Sequence, residues 1–399
     1  MMNGQTLKKL NLIIGGLIIC SILLFPQFSI KDSLPKFQFI DIFLPGIIIL
    51  ILIQRKSFSK NRIYPFVLLF GGWIMITIIA NGRTDQFRDY FELYKLLKFG
   101  CVIALFSLLN FEEVFSKILK PVFLVLVVVN MLHYFNVFNI NSVIKEYYNG
   151  GIHIDMFGLN SIGEPDIKRM LGFAGNPNVN GVIFSLLSVL FLIKSRNNNT
   201  NFFLFGLACL MMFLCQSRTN LIALILVMIA YGFLTRPINR NLFKVYGVFL
   251  AAFIVSYLVS SNAYMFSLMD SNVVQSNSVM GRLEVWKHLG EMILQKPIFG
   301  HGPYKDYFYE RNLFPESEFM LQTWRYGFVG IVLFISLLFS PLFSFTNSKS
   351  ITRSLFVLIL IVILVNSITN NPFTSREINV LFASIIGMFI SAQNKNEHA

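Results

Sequence analysis

Long apolar runs separated by short polar connections repeat along the whole chain. Each run is roughly 15 to 20 residues, enough for a helix to cross the ~30 Å hydrocarbon core of a bilayer. About twelve are legible by this length rule, centred near Leu17, Ile47, Leu69, Ala104, Leu126, Leu187, Cys209, Val227, Phe253, Leu333, Leu360 and Ile386. None alternates with the period of a strand, which argues against a membrane β-barrel. The pattern predicts an all-α polytopic membrane protein, with residues 1–399 forming a single integral membrane domain. The first run, LNLIIGGLIICSILLF, follows Lys8 and Lys9. It lacks a small-residue cleavage site and leads straight into the second run, so it reads as a retained helix rather than a signal peptide.

Composition strengthens the membrane reading. Of 399 residues, 55% are hydrophobic and only 13% charged, against about 25% charged in soluble domains. The four cysteines, Cys20, Cys101, Cys209 and Cys215, fall in or beside apolar runs without metal-ligand spacing, and read as packing residues. Charge then sets orientation. With the N-terminus in the cytoplasm, the even-numbered connections are QRKSFSKNR, NFEEVFSKILK, KSRNNNTN, TRPINRNLFK and TNSKSITR, and the tail is AQNKNEHA. They are short and basic, as the positive-inside rule requires, which puts both termini in the cytoplasm. Much of the net charge of +13 is therefore topological. With no aromatic-basic stretch outside these cues, nucleic-acid binding is not expected. On the opposite side two connections are long, residues 136–178 and 261–318, and long loops are where function concentrates.

This orientation isolates the arginines that break the charge rule: Arg83, Arg88, Arg169, Arg218, Arg282, Arg311, Arg325 and Arg376 lie on the outer side. Near a helix end an arginine costs less than the ~2.5 to 3.5 kcal/mol of the bilayer centre, yet it still needs an anion or water. Arg218 stands between two apolar runs in MMFLCQSRTNLIALILVM. Arg169 opens RMLGFAGNPNVNG, where Asn176 and Asn178 flank Pro177 and the next helix begins with outward N–H groups. Arginine beside an open helix N-terminus suits an anion; the blander reading is an ordinary turn with Arg169 reaching lipid phosphates.

Inside the second long loop, NSVMGRLEVWKHLGEMILQKPIFGHGP predicts a short amphipathic helix at the membrane surface. Ser278 is its N-cap, Leu283, Trp286, Leu289 and Ile293 its apolar stripe, and Pro297 with the following glycines its end. It holds Arg282 near its start, or it is simply an interfacial anchor. PESEFMLQTWRYGFVGIV then brings Glu316 and Glu318 to the next run. One is a candidate general base, and the alternative is structural pairing with an arginine. Arg376 and Glu377, in TNNPFTSREIN, read most simply as a local ion pair or a lipid contact. Arg83 and Arg88, in NGRTDQFRDYFELYKLLK, read as part of an interfacial amphipathic helix. His133, His153, His288, His301 and His398 are scattered with no zinc spacing, and His301, in GHGP, reads as a tight-turn residue.

Taken in order, these motifs carry a resemblance. Five residues separate Arg169 from Gly-Asn-Pro-Asn, Ser217-Arg218 lies between two runs, Gly281-Arg282 precedes Trp286, Phe299-Gly-x-Gly follows, and Gly327-x-x-Gly330 opens a later run. The set resembles the O-antigen ligase and polymerase superfamily, bacterial multi-spanning enzymes that handle polyprenyl-diphosphate-linked glycans. It covers residues 169–334 by motif and the whole chain by number of runs and placement of loops. The resemblance implies a C-type glycosyltransferase-like fold in the cytoplasmic (inner) membrane, with an outward cavity for a lipid-linked donor. It implies no nucleotide sugar or other cofactor, because activation resides in the sugar–diphosphate bond. Its implied partners are polyprenyl-diphosphate-linked donor and acceptor, membrane lipid, a flippase and a chain-length regulator. Arg218 and Arg282 fall on the superfamily's essential cationic positions, with Arg169 a third. Ligases carry a His-Asn pair eleven and ten residues before the glycine that here is Gly327; this chain has Glu316 and Ser317. The departure favours the polymerases.

The chemistry follows independently of the resemblance. A glycan leaving a polyprenyl diphosphate builds negative charge on the departing phosphate oxygen, and fixed cations stabilise that charge most in the transition state. Arginine suits this because its planar fork binds phosphate oxygens in pairs and stays protonated. The expected catalytic set is Arg218, Arg282, Glu316 and Glu318, and the expected substrate-binding set Arg169, Asn176, Asn178, Trp286 and Arg376, with no metal. Three functions stay open: a polymerase for O-antigen, capsule or exopolysaccharide, a ligase of the same superfamily, and a flippase for the lipid-linked oligosaccharide. A transporter would show repeated halves and mid-bilayer ionisable groups, so the crowding of unusual residues at outer helix ends favours an enzyme.

Overall fold

The computed structural model describes residues 4–25, 38–54, 62–141, 169–172, 174–195, 198–234, 240–259, 277–304, 306–311, 313, 315–344 and 351–396. Most of the first expected long loop (136–178) and the start of the second (261–318) lie outside the described residues. Among those described, the regular structure is entirely helical. The helices are α1 (Gly4–Leu23), α2 (Phe39–Ile53), α3 (Ile63–Ala80), α4 (Phe91–Leu108), α5 (Phe111–Phe135), α6 (Pro177–Lys194) and α7 (Asn199–Leu214). They continue with α8 (Arg218–Leu234), α9 (Arg240–Val259), α10 (Asn277–Gln295), α11 (Asp306–Glu310), α12 (Glu318–Ser344), α13 (Ile351–Thr369) and α14 (Arg376–Asn396).

Each of the twelve run centres lies in one of these helices. Among the described residues, six helices (α1, α3, α5, α6, α9 and α12) have the length and apolarity to cross a membrane, and α2, α7, α8 and α13 are apolar but shorter. The other two, α4 and α14, carry charge and pack most extensively on each other. On α4 that charge turns inward: Lys98 Nζ lies 2.8 Å from Asp41 of α2, the two being 3% and 8% exposed. A charge in a bilayer-spanning bundle is tolerated where it meets a partner in the protein interior.

Local sequence sets the helix starts. Asn176 accepts from the N–H groups of Asn178 and Val179, and Pro177, which has no N–H to leave unpaired, occupies the first turn. Asn198 caps α7 in the same way. α6 is enclosed on nearly all sides, with Phe191 packed 4.7 Å from Phe123 of α5, whereas α9 leaves most of its apolar surface outward, as a lipid-facing helix does. Two expectations change. Residues 81–98 form a 3-10 turn, Phe87–Tyr90, that runs directly into α4 rather than a separate amphipathic helix. α10 buries Leu289 and Ile293 against α11 and the first part of α12, with Trp324, Tyr307 and Phe308, while Leu283 of its expected stripe stays exposed. Its helix includes Ser278, the expected cap, and ends before Pro297 as expected.

Candidate functional site

The end of α13 and the turn after it, residues 366–371, tie together the segments that carry the candidate residues. From α8, Thr219 Oγ1 lies 2.6 Å from Thr369 Oγ1. One residue on, Asn220 Oδ1 accepts from Asn366 Nδ2 at 3.0 Å. From the approach to α12, Ser317 Oγ donates to the Ser367 carbonyl at 3.3 Å and the Glu318 N–H donates to the Asn370 carbonyl at 3.0 Å. Asn371 donates to the Pro315 carbonyl at 2.7 Å. Arg218, which opens α8, and Glu316 are therefore chain neighbours of residues fastened to the same short bracket.

α6 joins from the other side. Arg169, 7% exposed, donates from Nε to the Cys215 carbonyl at 3.1 Å and from Nη2 to Asn178 Oδ1 at 2.9 Å. Asn220 in turn donates to the Asn178 carbonyl at 3.1 Å and to Ser217 Oγ at 2.9 Å. Deeper, Asn180 donates to Asn130 Oδ1 of α5 at 2.9 Å. Buried amides that find partners in this way fix the angles between helices, because each unmade bond would cost roughly 1–3 kcal/mol. Sequence reasoning missed Asn130, Asn220, Asn366 and Asn370. The signal was an amide inside an apolar run, a residue that hydrocarbon does not solvate.

Arg282, near the start of α10, pairs through Nε with Glu316; the side chains are 26% and 45% exposed. Two expected catalytic residues thus meet at an accessible position. Glu318 lies in a different setting. It is fully buried; Oε1 accepts from Gln322 at 2.7 Å, and Oε2 accepts from the N–H groups of Phe373 and Thr374 at 2.8 and 3.3 Å. Its carboxylate closes the turn between α13 and α14, just before Arg376. Glu377 accepts from Ser375 Oγ and from Gln38. Trp286 is half-buried on α10, and its indole N–H has no hydrogen-bond partner among the described residues.

Two of the sequence motifs dock on one another by backbone. α12 breaks at Gly327, with φ 68° and ψ −172°, and the carbonyls freed by the break find new donors. The His301 and Gly302 N–H groups donate to the Trp324 and Arg325 carbonyls at 2.9 and 2.8 Å, and Trp73 Nε1 donates to the Tyr326 carbonyl at 2.8 Å. A Cβ on Gly327 would strike the Ile298 carbonyl, and one on Gly300 the Arg325 carbonyl, so both positions require glycine. His301 stacks on Trp324, centroids 5.0 Å apart, and its Nε2–H donates to the Met292 carbonyl. Burial pushes its pKa below the usual imidazole value; the Met292 bond opposes this and Lys296 adds to it. Arg83 sits over the Tyr304 ring, its Cζ 4.0 Å from the centroid, and pairs with Asp89 at 2.5 Å. Arg325, 5% exposed, lies 3.6 Å from Glu92 of α4.

Residues 203–335 match the family model described as O-antigen ligase, consistent with the resemblance to the O-antigen ligase and polymerase superfamily, whose members are glycosyltransferase-like enzymes of polysaccharide biosynthesis. The matched segment runs from within α7 to within α12. It includes Arg218, Arg282, Trp286, Glu316, Glu318 and the docked glycine motifs, and leaves Arg169, Asn176, Asn178 and Arg376 outside. No curated protein matches the chain. Together with this match, the apolar helices point to a multi-pass membrane protein.

Proposed function

We propose that the protein is a polysaccharide polymerase, joining polyprenyl-diphosphate-linked repeat units on the outer side of the cytoplasmic membrane. In this reading it is one membrane domain of twelve crossings with both termini cytoplasmic, and residues 136–178 and 261–318 face outward. The observation that carries the proposal is the fastening of the Arg218 and Glu316 segments to the single bracket at residues 366–371, with Arg282 paired to Glu316.

In the reaction an acceptor hydroxyl attacks the anomeric carbon. The new O–C1 bond forms as the bond from C1 to the diphosphate oxygen breaks, with inversion, and polyprenyl diphosphate leaves with the electron pair. Arg218 and Arg282 bind the diphosphate and stabilise the charge gathering on its departing oxygen. Glu316, accessible beside Arg282, takes the proton of the attacking hydroxyl. Glu318, whose oxygens are engaged by Gln322 and two backbone N–H groups, positions the α13–α14 turn. Arg169 and Asn178 hold the start of α6, which Asn176 caps, beside Arg218. Trp286 offers a ring face to the glycan, and Arg376 a cation at the start of α14.

A second reading, a ligase delivering finished glycan to a terminal acceptor, is favoured by the description of the matched family. Sizing the surface glycan and its lipid-linked precursors separates the two, in a host lacking the gene and in one restored with wild type or Arg218→Ala. Collapse of long polymer to single repeat units without the gene, unrescued by Arg218→Ala, is the polymerase result. Long polymer that persists on its lipid carrier is the ligase result.

A further inference from the structure

We propose that a pocket between α3, α4, α12 and α14 is a saccharide subsite that holds a hydroxyl-bearing edge of the acceptor glycan, an inference that rests on the glycosyl-transfer reading above. Its walls include the aromatic rings of Phe70, Phe99 and Phe334. Besides Glu92 and Lys95, three uncharged polar side chains line it, Gln322, Tyr326 and Asn379, which are 6%, 1% and 8% exposed. Gln322 Oε1, the Tyr326 hydroxyl and Asn379 Oδ1 have no hydrogen-bond partner among the described residues. The Gln322 amide is oriented by its own bond, since Nε2 donates to Glu318 Oε1 at 2.7 Å and Oε1 is left over.

An unpaired buried polar atom destabilises the fold, and leucine or phenylalanine would fill the same space without that cost. Three such atoms on residues that line one pocket therefore point to a ligand that completes them. Two are carbonyl oxygens, which need donors, and the third is a hydroxyl, which gives or takes a proton. A sugar edge supplies several hydroxyls in that arrangement, and aromatic walls suit the C–H face of a pyranose. A phosphate does not fit, because two carbonyl oxygens and Glu92 face it. A cation does not fit either, because Lys95, 3.0 Å from Glu92, lines the same pocket. Gln322 lies one turn along α12 from Glu318, about 6 Å along the helix axis, and six residues after Glu316. An acceptor seated there would present its next hydroxyl toward Glu316.

The test uses full-length protein in nanodiscs and two probes from a host lacking the gene: its lipid-linked oligosaccharide fraction, and the saccharide released from that fraction by mild acid. Binding of the released saccharide is read from the thermal unfolding shift, and transfer from product size as the lipid-linked fraction is titrated. For Asn379→Leu and Tyr326→Phe we expect unfolding temperatures at or above wild type without ligand, because an orphaned polar atom is gone. We also expect about tenfold weaker saccharide binding, with the transfer defect falling on half-saturation more than on maximal rate. Tyr326→Phe, the loss of one oxygen, remains informative if Asn379→Leu fails to fold. Wild type that does not bind the saccharide, or variants that bind it as wild type does, overturn the subsite and leave a pocket holding only water. Saccharide binding that depends on Asn379 without any transfer product would instead sink the glycosyl-transfer reading.

Discussion

Arg282 and Glu316 form a pair that is open to solvent at one edge, and this geometry permits either a structural clamp or a working acid–base couple. The two roles separate under charge reversal. If the pair only clamps α10 to the start of α12, exchanging the residues (Arg282→Glu with Glu316→Arg) restores both folding and glycan synthesis. The catalytic assignment predicts that the exchange restores folding alone. It also predicts that Glu316→Gln lowers transfer about 10²- to 10⁴-fold, the usual worth of a general base, and Arg282→Ala about 10²- to 10³-fold, the usual worth of one charge-stabilising donor. Single-turnover transfer in nanodiscs measures both. His301 gives a pH-dependent prediction at the same scale. Its folded pKa is lowered by burial from the ordinary 6.5, so the folded state binds fewer protons than the unfolded one. The stability this contributes is full above about pH 6.5 and is lost as pH falls through that value toward the lower folded pKa. Trp324, stacked on the imidazole, reports the change by fluorescence, and His301→Gln should flatten the pH dependence. These residues were legible as types in sequence, because an arginine or carboxylate beside an apolar run is conspicuous. Their pairing was not: 34 residues separate Arg282 from Glu316, and either glutamate could have been the one it met.

At the scale of elements, the broken α12 decides how residues 297–302 are held. The sequence displayed Phe299-Gly-x-Gly and Gly327-x-x-Gly330 as separate motifs, and nothing in their spacing said that one docks on the other, since the contact is made by N–H and carbonyl groups that every residue carries. Glycine was the only trace, required where two backbones approach too closely for a Cβ. Gly327→Ala therefore faces two costs, a φ of 68° that an L-residue avoids and a collision with the Ile298 carbonyl. We expect the variant to release residues 297–302 from α12, visible as faster chymotryptic cleavage after Phe299 and as lost stacking between His301 and Trp324. The membrane helices should retain their helical circular dichroism. Wild-type proteolysis in Gly327→Ala would mean that the break does not depend on the docked loop. The bracket at residues 366–371 was hidden for a similar reason. Asn366, Thr369 and Asn370 looked like a polar helix end, and only the packing of α8 and α12 against α13 turns them into a joint.

For the whole molecule, apolar run length and loop charge predict twelve crossings, while length and apolarity qualify six of the described helices by themselves. The difference lies in what an isolated-helix criterion leaves out. α4 fails it because it carries Glu92, Lys95 and Lys98, yet Lys98 meets Asp41 and Glu92 meets Lys95 inside the bundle, and a paired charge costs far less in a membrane than a lone one. α2, α7, α8 and the apolar Leu355–Thr369 part of α13 are shorter than the usual span, which tilt and local bilayer thinning can accommodate. Twelve crossings require both termini on one side and residues 261–318 on the other. In a variant with Cys20, Cys101, Cys209 and Cys215 replaced by alanine, single cysteines at Ser59 and Ser271 test this directly. A membrane-impermeant maleimide applied to right-side-out spheroplasts should label Ser271→Cys and spare Ser59→Cys until the membrane is opened. Labelling of both from outside would remove an odd number of crossings between them, whereas a Ser271→Cys spared from outside would take the Arg282–Glu316 pair off the side where a lipid-linked glycan is presented.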